Sequence, residues 1–143
     1  MNNIKNIKLN ENDISKLAIN LINNKQYQKA ELILLNSIKK ITNNHFLFNH
    51  LGYLYFETGQ LEKCIKYYVL SLKIEKKNRE AYCNLGTAYL FKNEYNLSKK
   101  IFEQGLKILP NNENILIAYS QLLFATQDTK KAFRAFESRK RTP

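Results

Sequence analysis

The chain has no tryptophan, one methionine, two prolines, two cysteines and four glycines among 143 residues. Two cysteines, Cys64 and Cys83, do not make a disulfide framework and read as reduced residues of a cytoplasmic protein. No run of 18 or more apolar residues occurs, so no membrane-spanning helix is expected. Residues 1–10, MNNIKNIKLN, lack the apolar region of a secretory signal. No glycine-rich phosphate loop is present. His45 and His50 stand apart from any Cys, Asp or Glu at metal-ligand spacing, and Glu57 and Glu80 are single carboxylates without a paired acid or base. Catalytic residues, cofactor-binding residues and metal ligands are therefore not expected, and the chain reads as non-enzymatic.

Carboxylates are also scarce, 12 against 23 Lys and Arg, which leaves a net charge of +11. Such a charge points to an acidic partner, a nucleic acid or an anionic surface. Its competing source is genome bias, because Lys, Asn and Ile are abundant together.

What the chain does have is a period. Phe48-x-x-Leu51-Gly52-x-x-Tyr55 returns 34 residues later as Tyr82-x-x-Leu85-Gly86-x-x-Tyr89. The same frame holds Ile14-x-x-Leu17-Ala18-x-x-Leu21 before it and Leu116-x-x-Tyr119-Ser120-x-x-Leu123 after it. Each small residue is followed by a second pair: Ala30 and Leu34, Cys64 and Tyr68, Ser98 and Phe102, Ala132 and Phe136. Apolar residues recur at three and four within each unit, as on one face of a helix. Small residues are needed where two helices cross closely, and a glycine inside a helix costs ~1 kcal/mol against alanine unless packing requires it. Turns are expected at Asn23-Asn24, Thr58-Gly59 and Lys92-Asn93, with capping side chains in 42–44 and 111–113. A fixed period of this size marks a stacked repeat with about enough units for stability.

The pattern resembles the tetratricopeptide repeat family, in which a large residue, Leu-Gly, Tyr, a small residue, an aromatic and Pro recur every 34 residues. Here Phe48 and Tyr82 take the place of the family's Trp, and only the third unit has the Pro, Pro110. The units run 11–44, 45–78, 79–112 and 113–143, after a tail of residues 1–10. The resemblance implies an all-α, right-handed superhelical solenoid of antiparallel helix pairs, its last unit incomplete.

It also implies a concave groove lined by first helices and a convex wall of second helices. Lys63, Lys66, Lys99, Lys100, Lys130, Lys131 and Arg134 fall on second helices, and Arg139-Lys140-Arg141 forms a sharper basic cluster. The basic residues thus read as a solvated back face more than as a nucleic-acid site. Groove residues are expected to be Ser15, Lys16 and Ile19; Phe46, Asn49, His50, Tyr53 and Glu57; Glu80, Cys83, Asn84, Thr87 and Phe91; and Asn114, Ile117, Ala118 and Gln121. This mixed polar and aromatic wall suits an extended peptide or a partner helix, with Asn amides pairing a peptide backbone and Phe46 and Tyr53 as anchors. Asn84 is the leading contact, by similarity to family members whose Asn ladders hold a peptide.

A clamp for a chaperone's C-terminal carboxylate needs cations on successive first helices. Ser15, Ile19, His50, Glu80 and Asn84 stand at those places in one register, and Asn49, Tyr53, Asn84, Asn114 and Ala118 in the other. Neither set has a cation to pair the carboxylate, so that mode is not expected.

The function expected is a cytoplasmic, non-catalytic adaptor that binds a protein or peptide in the groove. The alternatives are a nucleic-acid-binding helical repeat and an accessory module of a glycosyltransferase system. The last rests on residues 132–139, AFRAFESR, which are similar to a helix before the catalytic half of tetratricopeptide-repeat glycosyltransferases. The fourth unit has no polar cap after it, so its end is expected to meet a partner, a second copy in a homo-oligomer, or further chain.

Overall fold

The computed structural model describes residues 10–128, together with Lys131, Arg134 and Glu137. The helices are α1 (Glu11–Asn23), α2 (Tyr27–Ile38), α3 (His45–Glu57), α4 (Leu61–Ile74), α5 (Arg79–Phe91), α6 (Tyr95–Ile108) and α7 (Glu113–Ala125). Among the described residues there is no strand. The fourth unit's second pair, Ala132 and Phe136, lies outside the described residues. So do the cluster Arg139-Lys140-Arg141, Lys130 and most of segment 132–139.

The helices begin where the sequence supplies a cap. Asn10, Asn44, Asn78 and Asn112 precede the four first helices at 34-residue steps, and each side-chain oxygen accepts a backbone N–H of the first turn. Such a cap is worth ~1 kcal/mol. The second helices start on Gln26, Gln60 and Glu94, none of which makes a side-chain cap bond. Their entry is set by the residue just before. Lys25, Gly59, Asn93 and Gln127 all have positive φ, again 34 residues apart. The left-handed residue reverses the chain between the helices of each pair.

The turns at Thr58-Gly59 and Lys92-Asn93 therefore lie where expected. The first turn is displaced by one residue: Asn24 has φ −86°, and Lys25 takes the left-handed conformation at φ 59°. The repeat frame decides this position, against the local preference for Asn over Lys in that conformation.

Each first helix packs on its own second helix, and each second helix on the next first helix. First helices also touch along the stack, α1 with α3, α3 with α5 and α5 with α7. Among the described residues no second helix packs on another. One apolar cluster joins α1 through α5, with Ile22, Leu34, Leu51, Leu54 and Tyr68 fully buried. A second, around Tyr82, Phe102, Ile115 and Leu122, joins α5 to α7. The two meet at Leu72 and Ile101, which pack against both.

The glycines mark the close crossings. A Cβ on Gly52 would lie 2.6 Å from the Tyr68 ring, and on Gly86 still nearer the Phe102 ring. In the first unit the same two places hold Ala18 and Leu34, both fully buried. Where the second helix offers an aromatic ring the first helix has glycine, and where it offers leucine an alanine fits. Ser98 occupies the small position opposite and donates its hydroxyl to the Gly86 carbonyl at 2.7 Å, which satisfies a buried polar group.

Candidate partner-binding groove

The first helices put one face into the core and turn another outward. Of the expected groove residues, Phe46, Glu57, Glu80, Phe91 and Gln121 are exposed, and His50, Tyr53, Asn84, Thr87 and Ile117 are half-buried. Phe46 is 51% exposed and Phe91 65%. Phe91 meets Phe56 edge-on, ring centroids 5.2 Å apart, across α3 and α5. Ser15, Ile19 and Cys83 are half-buried, while Lys16 and Asn114 are exposed.

Two expected wall residues lie elsewhere. Asn49 is only 5% exposed. It sits between α3 and α5, where its Nδ2 donates to Glu80 Oε2 at 3.2 Å, and its buried Oδ1 has no hydrogen-bond partner among the described residues. A short amide at the contact of two first helices is covered by the neighbour, so Asn49 joins units instead of presenting an amide to a ligand. Ala118 is 9% exposed and belongs to the second core cluster.

Phe56 and Phe124 belong to the groove side although the helical pattern alone did not single them out. Phe56, Leu90 and Phe124 are one another's equivalents at 34-residue steps, and Phe124 is 50% exposed. The period itself was the signal, since Phe91 is the immediate neighbour of Leu90.

Tyr53, Phe56, Tyr68, Asn84 and Thr87 line a cavity of about 90 Å3 between the second and third units. Its polar groups are held. The Asn84 amide lies beside the Tyr68 hydroxyl, and the Thr87 hydroxyl donates to the Cys83 carbonyl at 2.8 Å. Burial pushes the Tyr68 phenol well above its usual range, and the Asn84 amide partly opposes that. Asn84 is thus a cavity-lining amide beside a buried phenol.

His50 stands on the same face. Burial, and then the nearby His45, push its pKa down to about 4, so the ring is neutral at physiological pH and adds no charge to the wall. Burial pushes the Cys83 thiol up to about 11, which removes the thiolate that nucleophilic chemistry would need. Among the described residues no group of three His, Cys, Asp or Glu side chains could hold a metal.

Charge is divided between the two sets of helices. First helices carry the carboxylates Glu11, Asp13, Glu57, Glu80 and Glu113 against Lys16 and Arg79. In α2, α4 and α6, seven lysines face three glutamates. Lys63 lies 4.9 Å from the centroid of Tyr55 and Lys66 5.6 Å from that of Tyr67, so two of these lysines rest on aromatic rings.

Helical hairpins stacked at a 34-residue step, with glycine against an aromatic ring at the crossings of the second and third units and alanine against leucine in the first, define an all-α solenoid. The tetratricopeptide repeat model matches residues 47–78 and 80–112, so the second and third units are tetratricopeptide repeats. The solved structures agree in fold. A crystal structure of MamA aligns with TM-score 0.75 at 16% identity, over 90% of this chain and 70% of that one. PilF of Pseudomonas aeruginosa aligns with TM-score 0.76 at 16% identity, over 89% of this chain and 58% of that one. The tetratricopeptide domain of Sgt2 from Aspergillus fumigatus aligns with TM-score 0.73 at 17% identity, over 84% and 81%. No curated protein matches the sequence. The repeat is a protein-interaction module, so the chain is in general terms a protein–protein interaction scaffold. Among the described residues no helix is long and apolar enough to cross a membrane.

Proposed function

We propose that the chain is a cytoplasmic, non-catalytic adaptor that holds a peptide or partner helix against its first helices. The observation that carries this reading is the apolar side of the groove. Phe46, Phe91 and Phe124 are each at least half exposed, and Phe91 packs edge-on against Phe56, which lines the small cavity with Tyr53 and Asn84. Exposed aromatic rings next to a pocket are the usual anchors of an interface. Glu57, Glu80 and Gln121 supply polar contacts around them.

Photo-crosslinking tests the reading. A benzophenone side chain at position 91 or 121 should join the partner in cells, whereas one at position 66, on the convex wall, should not. Replacing Phe46 and Phe91 together by Ala should reduce partner capture at least tenfold while leaving helicity and melting unchanged, because both rings are exposed. Adducts from position 66 alone would overturn the groove assignment. Asn84→Ala is a poorer test, since Asn84 also packs beside the buried Tyr68.

A further inference from the structure

A second recess lies on the opposite side of the molecule. Because α4 and α6 do not touch, the convex wall opens there into a cleft of about 470 Å3. Tyr82 and Leu85 of α5 form its floor, and Leu72, Ile101 and Ile108 its walls. Ile108 is 36% exposed, at the mouth. Lys73 and Lys76, three residues apart, stand on one rim.

The rim is net cationic, with Glu75 the one carboxylate between its two lysines. Glu75, between the two lysines, turns its carboxylate to the backbone N–H of Lys77 at 2.8 Å. Glu103 of α6 faces Lys99, 3.9 Å away, and accepts from the Tyr119 hydroxyl. Lys66, Lys100 and Lys107 on the same two helices add to the positive field.

We propose that this cleft is a docking site for an acidic amphipathic helix of a partner protein. The cleft follows α6 from Ile101 to Ile108, a length of roughly 10 Å at 1.5 Å per residue. Two helical turns of a guest cover that length and present apolar side chains at i, i+3 or i+4, and i+7. The walls offer side chains and no free backbone edge, so an extended strand would leave its N–H and C=O groups unpaired, whereas a helix satisfies its own. Glu or Asp on the guest's flank would meet Lys73 and Lys76. The site is separate from the first-helix groove, and its fate does not depend on the groove reading.

The test uses the full chain and a synthetic helical peptide with Leu at i, i+3 and i+7 and Glu along its flanks. A second peptide has every Glu replaced by Lys. Fluorescence anisotropy should show the acidic peptide binding at least tenfold more tightly than the basic one, with affinity falling as salt rises. Ile108→Asp, and separately Lys73→Glu with Lys76→Glu, should each weaken the acidic peptide tenfold or more without changing the melting temperature. Phe46→Ala with Phe91→Ala, in the groove, should leave it unchanged. Equal binding of the two peptides overturns the proposal, as does acidic-peptide binding that ignores the cleft substitutions. So does binding of oleate to the cleft in place of either peptide, since that would make it a lipid site.

Discussion

Gly86 and Phe102 form the sharpest single constraint in the chain. Alanine has the better helix propensity by ~1 kcal/mol, so Gly86→Ala would stabilise an open helix. Here its Cβ would enter the ring of a fully buried Phe102, and overpacking of this kind costs ~1–3 kcal/mol. The net expectation is a loss of stability in urea unfolding, and a larger loss for Gly86→Leu. With Phe102→Leu already in place the sign should reverse, because the pair would then match Ala18 and Leu34 of the first unit. Gly86→Ala that stabilises the protein with Phe102 intact would refute the close-crossing role. The contrast with Gly59 is instructive, since that glycine has open space around it and only eases a positive φ that Lys25, Asn93 and Gln127 adopt at the equivalent places.

Between units, Asn78 does more than the other caps. Its Oδ1 accepts the Ala81 N–H at 3.2 Å, as an N-cap should. Its Nδ2 reaches Ser71 Oγ at 2.9 Å and His45 Nδ1 at 3.2 Å, and the Ser71 hydroxyl donates to the His45 carbonyl at 2.8 Å. One side chain thus starts α5 and ties it to both helices of the preceding unit, in a site where Asn78 is 8% exposed. Asn112 caps α7 with a single bond, to the Ile115 N–H. Asn112→Ala should therefore cost ~1 kcal/mol, the value of a cap. Asn78→Ala should cost roughly 2–3 kcal/mol, because it also removes partners from buried polar atoms. Equal losses in chemical denaturation would show that the network adds nothing to the cap. The helix pairs, their spacing and the small residues at the crossings were legible in the sequence, since Gly52, Gly86, Cys64 and Ser98 repeat in one frame. The burial of Asn49 was not, because it depends on how far α5 leans over α3. Nor was the left-handed conformation of Lys25, because Lys carries no local signal for it. Nor did the sequence announce the cleft beneath Ile108, which exists only because two second helices stand apart.

Among the described residues, contacts run only within units and between neighbouring ones, so stability should be distributed along the stack and not shared equally. The core is two clusters joined through Leu72 and Ile101. Leu54 lies in the first and Leu122 in the second, each 1% exposed. Truncating either to Ala should cost ~2–5 kcal/mol locally. If the stack behaved as one two-state unit, both substitutions would lower amide protection everywhere by the same amount. A nearest-neighbour stack predicts otherwise. Leu122→Ala should speed native-state hydrogen exchange in α6 and α7 while leaving the slowest amides of α3 and α4 nearly unchanged, because those are held from both sides. Leu54→Ala acts at the centre, where α3 touches α1, α2, α4 and α5, so it should lower protection in all of these. A uniform drop from Leu122→Ala would mean that the junction at Leu72 and Ile101 couples the two clusters into one cooperative unit. In the proposed groove, Phe46 and Phe91 stand on α3 and α5, beside the first cluster, and Phe124 on α7, beside the second. A ligand bridging these rings should therefore tighten the coupling, and ligand-induced protection of α7 should exceed what its own contacts there would give.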